Sequence, residues 1–264
     1  MRLRAEFIAT ALLSLAATSG LNAQQTSRPA DSELAAITRR GRELAAYDQA
    51  AWHATDAVQM ANPQTAQGQH YLAHFENGRW TVVFGSLSAD KTKFLINYEA
   101  TEGEKLQSFR VKRDDPPRED IDFYLFGARA LEIALADFGR NSRPYNTAIL
   151  PAADHQLYVY LYPAQLKANS YPLGGDMRYL ISGDGTQILE KRQLHKTIVE
   201  TNPAKGIKAV AGFHTHVLSD VAEDTDVLHV LQQDPPVPEM VGTPHFIYEI
   251  TADGTIHIKR EKRK

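Results

Sequence analysis

The chain has 264 residues, a formal net charge of −3, 43% hydrophobic residues and no cysteine. That length allows one or two domains with substantial cores, and the near-balanced charge carries no nucleic-acid signature. The missing cysteines exclude disulfides, a lipid anchor on a lipobox thiol and every thiolate metal site, so any metal must be held by histidine and carboxylate.

The first 23 residues read as a secretory signal peptide. Arg2 and Arg4 form a charged start, Phe7 to Ala17 an apolar run, and Leu21-Asn-Ala23 a cleavage site. The apolar run is too short to anchor stably in a bilayer, so an exported chain, periplasmic or secreted, is expected. Removing the two arginines and Glu6 moves the charge from −3 to −4. The tail from Lys259 to Lys264 is basic and reads as a solvated end.

From Asp31 or Ser32 a long helix is expected to about Met60. Leu34, Ile37, Leu44, Ala51 and Val58 recur at helical spacing, with Trp52 beside them. Gly41 interrupts the pattern and marks a weak point or a close contact. Strands follow over 70–76 and 79–85, joined by Asn77-Gly78, a strong hairpin signal. A third is expected around Phe94 to Tyr98 and a fourth over 109–113. Asp114-Asp-Pro-Pro-Arg118 reads as a break before a second helix over 119–138, apolar nearly all round and therefore expected between layers.

Further strands are expected around Thr147 to Leu150 and Leu157 to Tyr162, then a hairpin of 177–181 and 187–192 turned by Gly183-Asp-Gly185. The fold class expected is α+β: an N-terminal helix and antiparallel sheet, then a mixed sheet with a short helix after its histidine strand. The domain division expected is a signal peptide at 1–23, a first module over 31–140 and a second over 141–264.

An apolar run from Ile207 reads as a buried strand and leads into His214-Thr-His216, followed by acidic residues Asp220, Glu223, Asp224 and Asp226. Side chains two apart on a strand share a face, so His214 and His216 stand side by side. A helix is expected over 225–233, with Thr225 or Asp224 as its cap, which puts Asp226 in the first turn. Two imidazoles and a carboxylate make a three-ligand zinc site with an open fourth position. Only 48 residues follow His216, too few for the barrel of other His-x-His hydrolases.

The run His214-Thr215-His216, its strand, the following acidic helix start and a closing hairpin together resemble the JAMM (MPN+) metalloprotease family. Its motif is His-Ser/Thr-His, seven residues, then Ser-x-x-Asp. Asp226 lies ten residues after His216 where the motif has eleven, Glu223 stands where it has serine, and Val217 replaces a proline. The resemblance implies zinc held by His214, His216 and Asp226, and hydrolysis of a peptide or isopeptide bond in a peptide or protein substrate. It also implies an upstream general base. Asp176 in Leu173-Gly-Gly-Asp176 is the residue expected there, with Asp154 in another register; Glu190 and Glu200 are the nearest glutamates. His195 reads as a second-shell, substrate-facing or surface residue. The alternative is a non-catalytic module of the same fold with a degenerate metal site.

Overall fold

The structure, a computed structural model, describes residues 28–62, 69–104, 107–201 and 209–262. The expected signal peptide lies outside them. Among the described residues the fold is α+β, with three α-helices and four sheets.

α1 (Asp31–Ala61) buries the expected stripe of Leu34, Ile37, Leu44, Ala51 and Val58. Trp52 leaves that stripe; it is 56% exposed and stacks on His53. Gly41 is a close contact, because a Cβ there would stand 2.4 Å from Val227 Cβ. The backbone of α1 can thus lie directly against a later helix.

β1 (His70–Glu76), β2 (Arg79–Leu87), β3 (Phe94–Glu102) and β4 (Phe109–Asp120) form an antiparallel meander. Asn77 and Gly78 both have positive φ, as their hairpin turn requires. The break expected at 114–118 is absent: β4 continues to Asp120, paired with β3. β4 is an edge strand, where Pro116 and Pro117 can lack N–H donors, and a bulge between Ile96 and Tyr98 absorbs the register. α2 (Phe123–Phe138) therefore starts later than expected. Asp120 Oδ1 accepts the N–H groups of Tyr124 at 3.0 Å and Leu125 at 3.1 Å, satisfying donors of the first turn.

β5 (Tyr145–Pro151), β6 (Leu157–Pro163), β8 (Met177–Ile181) and β9 (Ile188–Gln193) form a second antiparallel meander, and β7 (Tyr171–Leu173) branches off to pair with β10 (Val199–Thr201). The third sheet orders β11 (Gly212–Thr215), β12 (Glu239–Gly242), β13 (Phe246–Ile250) and β14 (Ile256–Glu261). β11 and β12 are parallel, with α3 (Asp224–Gln232) between them in the chain; the other pairs are antiparallel. This sheet is mixed, as expected, but it is separate from the meander of 145–193.

α2 is packed between the first two sheets. Its Leu125, Ala128 and Leu131 share a core with Val83 and Phe94 on one side and Val159 and Tyr179 on the other. A second core joins Leu44 and Ala54 of α1 to Trp80, Tyr160 and Leu228. Both cores cross residue 140: one because α2 is covered by a sheet on either side, the other because the wide apolar stripe of α1 is covered by α3 as well as β-sheet. With core residues shared across residue 140, thermal unfolding should show a single cooperative transition. Leu44 is fully buried, and Leu44→Ala should cost about 2–5 kcal/mol. Calorimetry giving two transitions, only one of them moved by Leu44→Ala, would instead support a division near residue 140.

Candidate metal centre

The centre begins with the short strand β11, which starts at Gly212 after exposed residues 209–211 rather than as a buried strand from Ile207. It alternates Phe213 outward with His214 inward and delivers His216 one step beyond its end. Gly212 leaves room for Glu239 at the strand's start: a Cβ there would lie 1.7 Å from Glu239 Oε2 and displace that carboxylate. The N–H of His216 donates to Gly242 O at 2.8 Å, extending the β11–β12 pairing to the second histidine. The chain then turns into α3. Glu223 is the N-cap and Asp226 the third helical residue, and the two form a reciprocal capping box. Asp226 Oδ2 accepts the Glu223 N–H at 2.7 Å, which aims Oδ1 at the histidines.

His214, His216 and Asp226 are brought together as expected, and His195 joins them. One ligand atom from each of these four residues lies within 4.8 Å of the others, and the group could hold a metal ion. The three Nε2 atoms converge: His195 and His216 are 2.9 Å apart, and His214 and His216 are 3.1 Å apart. Asp226 Oδ1 lies 2.9 Å from His195 Nε2 and 3.0 Å from His214 Nε2, while Oδ2 lies 3.2 Å from His216 Nε2. Ligands about 2.0–2.1 Å from a tetrahedral centre would stand roughly 3.3 Å apart, so these separations need only a few tenths of an ångström of expansion.

The outward nitrogens decide the chemistry. His195 Nδ1 lies 2.8 Å from Asp176 Oδ1, His214 Nδ1 lies 2.8 Å from Glu239 Oε1, and His216 Nδ1 lies 2.9 Å from Val221 O. All three partners are acceptors, so each Nδ1 carries its hydrogen, and each ring, once deprotonated at Nε2, turns that lone pair inward. Three lone pairs and a carboxylate facing one another repel unless a cation, metal or proton, lies between them. Partners behind metal-bound histidines have this arrangement, fixing tautomer and ring orientation.

Asp176, expected as the general base, is 1% exposed and accepts both the backbone N–H of His195 at 3.0 Å and its Nδ1–H. It stands behind a ligand, facing away from the centre, and its place is that of a positioning residue. Asp154 lies in a single 3₁₀ turn (Ala153–His155) and is exposed, Glu190 is exposed on β9, and Glu200 pairs with Arg143. None of these three belongs to the four-residue group. Glu239, behind His214, is the site residue that the sequence did not single out, and His195, which read as a second-shell, substrate-facing or surface residue, is a member of the group itself. Glu239 lies in a strand hidden behind prolines, and His195 reaches the centre only through the β8–β9 hairpin.

Burial alone would lower the pKa of His214, but the charge of Asp226 and hydrogen bonds to Asp226 and Glu239 outweigh it and raise it to about 9. His195 is likewise driven well above its ordinary range, burial being overcome by Asp226 and Asp176. For Asp226, burial would raise the pKa, but the three histidines hold it well below the usual carboxylate range. A cation must therefore displace protons to enter.

Two predictions follow from this geometry. Asp226→Asn should weaken metal binding by more than the ~10–100-fold expected of Asp176→Asn or Glu239→Gln, since the latter two remove only partners behind the ligands. Competition titration against a chromogenic chelator measures all three, and unchanged affinity in Asp226→Asn would remove it from the ligand set. The second concerns pH. A histidine whose folded pKa exceeds its unfolded value stabilises below the unfolded value, and that contribution disappears as pH rises through the folded one. Metal-free protein should thus lose stability between about pH 6.5 and about 9, the window set by His214, while metal affinity rises across the same window as protons leave. Melting temperatures with and without chelator, read across that range, would contradict this if both curves ran parallel.

Compared with family models, curated proteins and solved structures, the chain matches none.

Proposed function

We propose that the chain is an exported zinc-binding module in which one ion fastens the His195 segment, β11 and α3 together. The observation that supports it is the convergence of four protein ligand atoms with every outward imidazole nitrogen already engaged. Zinc suits a compact set of neutral imidazoles and a carboxylate, because it accepts nitrogen and oxygen donors in a tetrahedron without directional d-electron preferences. Four protein ligands fill that tetrahedron, the condition of a structural rather than an open catalytic site. This favours the non-catalytic of the two readings, with a complete rather than degenerate ligand set. Export rests on the arginine-led apolar segment before Gln24.

A second reading, hydrolysis of a peptide or isopeptide bond in a JAMM-like manner, draws support from Glu223. Burial pushes its carboxyl up to about 7 against the pull of Arg192, a value suited to proton transfer near neutral pH. Its residue occupies the motif's serine position, and its backbone N–H is held by the ligand Asp226. When bound, zinc supplies a Lewis-acid centre that can expand beyond four ligands. In this reading Glu223 carries the proton, Asp176 and Glu239 orient imidazoles, and the partner is a peptide or protein substrate.

Protein purified from the producing cell separates the readings. It should begin at Gln24 by mass spectrometry, contain about one zinc per chain, and cleave neither peptide nor isopeptide fluorogenic substrates. Chelation should lower its melting temperature by about 5–10 °C. Zinc-dependent cleavage that is lost in Glu223→Gln would overturn the structural reading in favour of the hydrolase. An N-terminus at Met1 would remove export, and a preparation that never takes up zinc would end both readings.

A further inference from the structure

At the opposite end of α3 from Asp226 lies a cavity of about 360 Å³, within the size range of small-ligand sites. α1 supplies Asp48 and Trp52, β1 supplies Tyr71, and Asn146, Tyr171 and Gln232 come from β5, β7 and α3. Among the described residues the lining has one carboxylate, several amide side chains and four aromatic rings, and no lysine, arginine or histidine. An anionic ligand would find no counter-charge there.

Asp48 fixes the sign of the site. Its Oδ1 accepts the Tyr162 hydroxyl at 2.7 Å and the Asn146 amide at 3.4 Å, and its Oδ2 accepts the Gln232 amide at 2.8 Å. Burial pushes the Asp48 carboxyl up from its ordinary range, and the three donors oppose that rise by favouring the acceptor-only carboxylate, so a cation beside it would answer an incompletely compensated charge. Among the described residues it has no ion-pair partner, unlike the buried Asp224, which has two arginines. Gln69 adds an Oε1 atom that is buried at the wall with no hydrogen-bond partner among the described residues. The cavity therefore offers negative charge and an unused acceptor, and its mouth carries the exposed ring of Trp52. An ammonium group answers both needs: it supplies N–H donors and positive charge, and aromatic faces attract it further.

We propose that this cavity binds a small organic ammonium ligand, its cation at Asp48 and its apolar body against Trp52, Tyr71 and Tyr171. At roughly 30 Å³ per water-sized group, the space holds about a dozen non-hydrogen atoms. The proposal stands apart from the metal reading, since none of the four metal-group residues lines the cavity.

Titration calorimetry on the mature chain tests this with tyramine, with 4-ethylphenol as the same body lacking the ammonium, and with glucose as a neutral polyol. Tyramine should bind at least about tenfold more tightly than 4-ethylphenol, and equally well with or without chelator. Asp48→Asn keeps the amide-compatible shape but removes the charge, and should abolish that preference. Trp52→Ala, at an exposed position that leaves the core intact, should weaken tyramine several-fold and keeps the test valid if Asp48→Asn does not fold. No heat from tyramine, equal binding of tyramine and 4-ethylphenol, or binding of glucose alone would each overturn the proposal.

Discussion

Asp226 carries two obligations at once, and the arrangement around it depends on both being met. Its Oδ2 closes the capping box that starts α3, while its Oδ1 faces the imidazoles of His195 and His214. Because the same carboxylate starts the helix and faces the histidines, the position of α3 and the geometry of the metal group cannot vary independently. A fully buried carboxylate among three imidazoles is expensive to desolvate unless positive charge enters with it. That requirement, more than any apolar contact, fixes what this corner of the fold can contain.

Two residues earlier, Asp224 performs a parallel task in the interior. It is fully buried and receives Arg40 from α1, Arg178 from β8 and the hydroxyl of Tyr160 from β6. These contacts tie the N-terminal helix and the second sheet to the start of α3. The acidic run 223–226 is therefore divided by partner: Glu223 meets Arg192, Asp224 meets two arginines, and Asp226 meets the histidines. A loop that would repel itself in isolation becomes the junction at which α1, the second sheet and β11 meet.

What could be read in the sequence was what is local. The two-residue step of His214 and His216, the acidic start of α3, the Asn77-Gly78 turn and the stripe of α1 all follow from backbone periodicity, and the structure has them. His195 depends on the β8–β9 hairpin bringing residue 195 back toward residue 214, and no spacing announces such a long-range return. Glu239 belongs to a four-residue strand directly after Pro235-Pro-Val-Pro238, and β7 and β10 are only three residues each. β4 ran through two prolines because edge strands tolerate them, a tertiary circumstance that local propensity does not contain. The position of Asp176 was marked by its Gly-Gly lead-in, but its role depended on which way the carboxylate faced.

The central claim is that four protein ligands, His195 included, surround one zinc ion. X-ray absorption at the zinc edge, measured on the mature protein and on His195→Ala, tests it most directly. The account predicts four nitrogen and oxygen neighbours at about 2.0–2.1 Å, with scattering from three imidazoles falling to two in the variant. Two imidazoles in the native protein, unchanged by His195→Ala, would contradict it.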